Sequence, residues 1–442
     1  MKQAARPREQ FRSKMGFIMA CIGSAVGMAN IWLFPYRTGQ YGGAAFLIPY
    51  VICVVFLGIC GVVGEMAFGR VMKTGPLGAF QKVAKNSGRP KLGCLGLVPV
   101  VGSLAIAIGY SVVVGWVLKY FFSSVNGALF TLSSQQLFQD TAVSFGSVGW
   151  HMLGLGITFL IMSVGVAKGI EAMNQVMMPV FFLFFLILMV RVALLPGAEA
   201  GYEYLFVPQW DFLKQPKTWV YALGQAFFSL SVAGSGTVVY GSYLSDDVDV
   251  VSCAKRVAFF DTCAALLSGL VVIPAVFAFQ LDVASGPPLL FITLPNVFGQ
   301  MPFSRLFAAI FFLAAFFAAI TSLMNLFETP IEALQSAFGF HRRKAVLIVA
   351  LIAAAVGIFI ENGDVVGAWM DVISIYIIPL GALLAAVMLY WVAPKGLARQ
   401  AVQMGRERRL GAWFEPMTKY AFVLVTLAVY ILGKSDRSHV VL

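Results

Sequence analysis

Charge is what this 442-residue chain has least of: Asp, Glu, Lys and Arg together make up 12% of it, about half the share that soluble domains use. A water-soluble fold is excluded, and 60% hydrophobic residues with a mean hydropathy of +0.86 make the membrane its solvent. The three histidines, His151, His341 and His439, are scattered near helix ends, and the six cysteines (Cys21, Cys53, Cys60, Cys94, Cys253, Cys263) contain no CxxC pair. Neither a disulfide framework nor a metal set follows, and the thiols read as packing groups. The chain has no Asn-x-Ser/Thr sequon and no Walker loop, and no Ser/His/Asp or Cys/His constellation falls at membrane depth, so an enzyme is not expected. Basic residues are missing from two long stretches, 123–147 and 281–302.

Elsewhere Lys and Arg collect on alternate loops. Placing the N-terminus inside gathers Lys2, Arg6, Arg8, Arg12 and Lys14, then Arg70 to Lys91, Lys168, Lys255, Arg256, Arg342 to Lys344, and Lys395 to Arg409 on the cytoplasmic side. The net charge of +11 is thus a topology signal, and no nucleic-acid partner is expected. The apolar stretch behind the basic N-terminal flank is too long for a signal peptide and reads as a retained first helix.

Apolar runs of about 20 residues place spans at 15–37, 43–69, 96–122, 148–167, 173–195, 218–244, 254–280, 303–335, 344–361, 365–393 and 417–433. The expected fold is an all-α integral membrane protein of about 11 transmembrane helices.

Two of those runs are interrupted by small and polar residues, Gly23-Ser24-Ala25-Val26-Gly27-Met28-Ala29-Asn30 and Ser229-Leu230-Ser231-Val232-Ala233-Gly234-Ser235-Gly236. Backbone that leaves helical bonding at membrane depth is tolerated only where it lines a cavity or binds something. Broken helices at matching places in two halves of a chain point to the binding site of a secondary transporter. In the first, freed carbonyls and the Asn30 amide suit a hard cation such as sodium, although Gly23 and Gly27 also fit a small-residue packing face. In the second, Ser229, Ser231 and Ser235 supply hydroxyls, and the following half-helix would turn its N–H groups toward an anion. Further on, Thr321-Ser322 follows the apolar run Phe311 to Ile320, and Asp261 begins the long apolar stretch that ends near Phe279. An intramembrane acid reads as functional with a cation partner, unless it sits at an interfacial helix end.

The segment Gly23 to Tyr36, followed by Gly42-Gly43-Ala44-Ala45-Phe46, resembles the first-helix signature of the neurotransmitter:sodium symporter family, and Gly224 to Ser231 resembles its sixth helix. Segment order agrees from Arg8 to about Trp391. The resemblance implies a five-plus-five inverted repeat with discontinuous helices 1 and 6. Its parts would be a cytoplasmic segment over 1–14, a first repeat over 15–200, a second over 218–393, and a basic loop, helix 11 and short tail over 394–442. It also implies two sodium sites, one from Ala25, Asn30, Ser229 and Asp261 and the other from Gly23, Val26, Ala318, Thr321 and Ser322. The implied substrate pocket comprises Ser24, Ala25, Met28, Ala29, Ile106, Tyr110, Phe228, Ser229, Ser231, Gly234, Ser322 and Leu326.

Departures from the family pattern sharpen these expectations. Asp261 stands where animal relatives have a neutral amide, so its fixed charge is expected to replace their chloride. No acid occurs in the first broken segment, so the substrate must bring its own carboxylate, as a neutral amino acid does. Gly234 replaces an aromatic ring and suggests room for a large hydrophobic or aromatic side chain; the alternatives are a small neutral substrate or a transporter-like sensor. At the gates, Leu33 replaces the usual outer arginine, and Arg37, one turn on, either substitutes for it toward Asp371 or marks the interface. Arg8, Phe11, Tyr243 and Glu328 resemble the inner gate, but Ser336 stands where its aspartate belongs. The implied setting is a bacterial inner (plasma) membrane crossed many times, with the lipid bilayer and the amino acid as partners and a monomer or dimer as the working unit.

Overall fold

The computed structural model describes residues 9–281 and 289–435, and among them every regular element is a helix. Seven continuous helices are long and apolar enough to cross a membrane: α2 (Ala44–Met72), α3 (Pro90–Asn126), α5 (Val166–Ala193), α7 (Val250–Ala278), α8 (Ser304–Phe338), α9 (Arg342–Ile360) and α10 (Gly363–Val392). The two halves of α1, Lys14–Ala25 and Ala29–Gln40, meet at 51° and form a broken span. The remaining expected spans are α4 (Val148–Ser163), α6 in two halves, Pro216–Ser229 and Gly236–Ser242, and α11 over 414–435. Arg8 and His439 lie outside the described residues.

Local chemistry sets the ends of these helices. Ser13 caps α1 by accepting from Gly16 N, Asp249 caps α7 through Val251 N and Ser252 N, and Asn362 caps α10, each satisfying amides that a first turn leaves unpaired. Large apolar side chains such as Leu160, Phe259 and Leu351 face outward, as lipid contact allows. Between helices, small residues permit close approach. A β-carbon on Gly69 would fall 1.8 Å from the Val238 carbonyl, and one on Gly241 2.3 Å from that of Met66, so α2 and the second half of α6 touch backbone to backbone.

Long α3 and α8 pack along each other, while α5, α7 and α8 surround the first half of α1. The break in α1 is thereby held at the centre of the bundle. His151 is no isolated helix-end residue: fully buried, it bridges Ser111 on α3 (2.9 Å) and Glu361 beyond α9 (3.0 Å). Of the six cysteines, Cys94 is exposed instead of packed.

Candidate functional site

The break in α1 arises because side chains take the amides that the helix would use. Gly27 N would bond the Gly23 carbonyl in an unbroken helix; it donates instead to Asn30 Oδ1 at 3.0 Å. Met28 N, which would bond Ser24, donates to the Tyr110 hydroxyl at 3.0 Å. Asn30 N turns back to the Gly27 carbonyl, leaving that of Val26. The Ser24 carbonyl accepts from Ser231 Oγ at 2.9 Å and Ser322 Oγ at 2.8 Å, so its orphan state is answered by α6 and α8. The carbonyls of Gly23, Ala25 and Val26 are thus released from helical bonding inside the protein, where oxygen ligands for a hard cation are needed.

The break in α6 is made differently. It runs over residues 230–235, and Ser231 (φ 54°) and Gly234 (φ 68°) adopt left-handed backbone. Gly234 N donates to Glu65 Oε1 of α2 at 2.7 Å. One amide of the unwound stretch is therefore held by an acid of the chain itself. Arg70, five residues further along α2, donates elsewhere, to the carbonyls of Val248, Ala401 and Met404. Gln225 of α6 reaches back to the Ala29 carbonyl at 2.9 Å and ties the two breaks together.

Asp261 lies fully buried on α7, well inside its span, not at an interfacial end. Asn30 Nδ2 donates to its Oδ1 at 2.8 Å and Ser229 Oγ approaches both of its oxygens at 2.8 and 2.9 Å. Asn30, Ser229 and Asp261 thus form one connected cluster beside the released carbonyls. On α8, the Thr321 hydroxyl lies 2.9 Å from the Phe317 carbonyl and 3.0 Å from that of Ala318.

A central cavity of about 60 Å³ lies between the breaks. Of the residues expected to line it, Ala25, Met28, Ala29, Ile106, Tyr110, Phe228, Ser231, Ser322 and Leu326 do so. Ser24 and Ser229 sit behind the wall, engaged as above. Gly234 is the clear correction: it packs on α10, where a β-carbon would stand 2.4 Å from the Gly381 carbonyl, so its missing ring opens no room in this cavity. Gly27, Val232, Ala233 and Ser235 of the two breaks complete the wall together with Phe227, Asn325 and Ile378, and these last three were not singled out by sequence. Phe228 also borders two neighbours, a cavity of about 470 Å³ walled by Trp32, Trp116 and Met370, and one of about 130 Å³ walled by Tyr221, Gly224 and Ala382.

At the end bearing the basic loops, Phe11 packs edge-on to Phe17, Tyr240 and Tyr243. The Tyr243 hydroxyl donates to Glu328 at 2.7 Å, and Arg342 holds Glu328 through both nitrogens at 2.8 and 2.7 Å. Arg342 also meets Glu9 at 3.1 Å, whose carboxylate accepts from Val166 N. Glu171 accepts from Arg12 N and from Ser13 Oγ. The N-terminal segment is therefore tied down by acids on itself and on α5, while Ser336, in the usual aspartate's place, bonds back to Ala333. Sequence reading had counted Arg342 only as a topology charge. At the opposite end Arg37 is buried with its guanidinium 4.1 Å from the Tyr221 ring centroid, a desolvated cation–π contact; Asp371 is half-buried on α10.

Residues 8–143 and 130–437 match the profile of the sodium:neurotransmitter symporter family. An uncharacterized sodium-dependent transporter of Bacillus subtilis, YhdH, is 37% identical over 79% of this chain and 77% of its own length. A second, MJ1319 of Methanocaldococcus jannaschii, is 32% identical over 97% of this chain and 91% of its own. Among solved structures, that of MhsT in complex with L-phenylalanine superposes with a TM-score of 0.86 at 30% identity, covering 97% of this chain and 100% of MhsT.

Proposed function

The chain belongs to the sodium:neurotransmitter symporter family, so it is a multi-pass, sodium-dependent membrane carrier and not an enzyme, and we propose that its cargo is a neutral amino acid with a large hydrophobic or aromatic side chain. The observation that carries this reading is the polarity of the central cavity. Its wall offers released carbonyls of α1 and the hydroxyls of Tyr110, Ser231 and Ser322, but no carboxylate. A bare amine would find no counter-charge there, whereas a zwitterion brings one.

Two sodium ions would accompany it. The first set is the Ala25 carbonyl with Asn30, Ser229 and Asp261, the three side chains already joined by hydrogen bonds. The second set is the carbonyls of Gly23, Val26 and Ala318 with the hydroxyls of Thr321 and Ser322. Both draw on carbonyls released by the same break, so each ion helps order the pocket, and coupling is reciprocal linkage between sites. Asp261, buried in the first set, brings a fixed negative charge, which supports transport without chloride.

Side-chain size is supported by Phe228 and no longer by Gly234. The central cavity alone fits an amino-acid head group; a turn of the Phe228 ring would join it to a neighbouring cavity. The complex of MhsT with L-phenylalanine supports the same class. The distribution of Lys and Arg supports a cytoplasmic N-terminus in a bacterial plasma membrane, with the Glu9, Arg342 and Glu328 cluster as its inner latch and Arg37 with Asp371 at the outer gate. Uptake of labelled neutral amino acids into liposomes, with an inward sodium gradient against a potassium control, tests the proposal. Sodium-driven accumulation of phenylalanine or leucine, unchanged when gluconate replaces chloride, is the expected result. Preference for alanine or glycine would overturn the substrate class, and binding without flux would make the protein a sensor.

A further inference from the structure

Asn174 of α5 is fully buried, and its Nδ2 donates to the Ile170 carbonyl at 2.8 Å. That bond fixes the amide, because only the nitrogen can face a carbonyl. Oδ1 must then point the other way, and there it meets no hydrogen-bond donor. A buried acceptor left unpaired is costly, and such atoms call for an explanation.

What Oδ1 faces is the break in α1. A β-carbon built on Gly23 would stand 1.9 Å from Oδ1 and 3.0 Å from the Thr321 β-carbon, so the three residues converge on one spot. Each brings an oxygen with spare lone pairs. The Gly23 carbonyl has lost its helical partner because Gly27 N is diverted to Asn30, and the Thr321 hydroxyl spends its single proton on a carbonyl of its own helix. A hard cation is a partner that a buried amide oxygen, a released carbonyl and a hydroxyl lone pair on neighbouring residues can share.

We infer that Asn174 Oδ1 is a sodium ligand contributed by α5 to the second sodium set. The inference rests on the reading that this set binds sodium, and adds to it a residue and a helix. The ion would then tie α1, α5 and α8 together instead of α1 and α8 alone. Three residues earlier on α5, Glu171 holds Arg12 N and Ser13 Oγ at the start of α1. Loss of the ion would thus loosen the two helices from each other in the middle while Glu171 still joins their ends.

Two substitutions separate a ligand from a helix cap. Asn174→Leu removes both halves of the amide; Asn174→Asp keeps oxygen but loses the Nδ2 donor to Ile170. The readouts need no transport: the sodium concentration that half-saturates the rise in melting temperature of purified protein, and 22Na binding at equilibrium. Asn174→Leu is expected to raise the half-saturating sodium concentration about tenfold, as loss of one contact to a charge does, while Asn174→Asp binds as tightly as the parent or more so. If Asp weakens binding as much as Leu, or if neither moves the midpoint while both lower the sodium-free melting temperature, Asn174 is a cap and the inference falls. A parent protein that shows no sodium-dependent shift would instead sink the wider sodium reading.

Discussion

The two broken helices look alike in sequence and are built on opposite principles. In α1 the helical amides of Gly27 and Met28 are taken by a neighbouring side chain and by a hydroxyl of α3, and the carbonyls left behind face the centre of the bundle. In α6 the break carries two left-handed residues and its freed Gly234 amide is held by a carboxylate of α2, outside the central cavity. The first break leaves the carbonyls of Gly23, Ala25 and Val26 for ligands, whereas the second has its Gly234 amide already held by a neighbouring helix. From this difference α6 should be preset and α1 responsive: the geometry of α6 is fixed by backbone conformation, a hydrogen bond and packing that exist without sodium, whereas that of α1 is completed by what binds.

The largest effect is expected at Gly234. Its left-handed backbone and the 2.4 Å separation of a would-be β-carbon from the Gly381 carbonyl leave no space for a side chain. Gly234→Phe, which sequence comparison would suggest as a way to narrow the pocket, is expected to abolish folding instead, seen as loss of monodisperse protein in size-exclusion chromatography. Recovery of a well-folded variant with altered substrate preference would return Gly234 to the pocket. Next comes Glu65→Leu, which removes the buried acceptor that Gly234 N uses. The expected cost is about 1–2 kcal/mol of stability, the same with and without sodium, measured by denaturation in both conditions. A cost that vanishes in sodium would mean that α6 also waits for its ligand.

How far this division is legible in sequence differs between the helices. The spans and the two interruptions follow from apolar runs and small residues, and the grouping of Asn30, Ser229 and Asp261 from the resemblance to the family. The residues that hold α6 do not. Glu65 stands next in line to Arg70 on one helix, and a carboxylate near an arginine invites an ion pair; only the packing of α2 against α6 shows that each serves a different backbone. Arg342 was hidden in a basic run, where charge reports topology equally well whether a side chain faces lipid headgroups or a buried glutamate. Gly234 misled because an alignment position names a place in the chain, while an unwound stretch can turn that place away from the pocket.

The smallest and sharpest effect concerns Tyr110. Its hydroxyl accepts from Met28 N and joins α3 to the break in α1, so Tyr110→Phe removes the acceptor and leaves the ring to line the cavity. A neutral hydrogen bond is worth about 1 kcal/mol, which corresponds to a rise in substrate half-saturation of about fivefold. If α1 is the responsive helix, the missing hydroxyl should weaken sodium binding as well, because a break that closes more easily into regular helix withdraws carbonyls from both ion sets, and linkage requires the two losses to move together. Hydrogen exchange gives the local view: sodium should slow the amides of residues 24–30 in the parent, less so in Tyr110→Phe, and leave those of residues 231–236 nearly unchanged in both. Equal protection of the two segments by sodium would erase the distinction between them, since it would show α6 gaining as much order from the ion as α1 does.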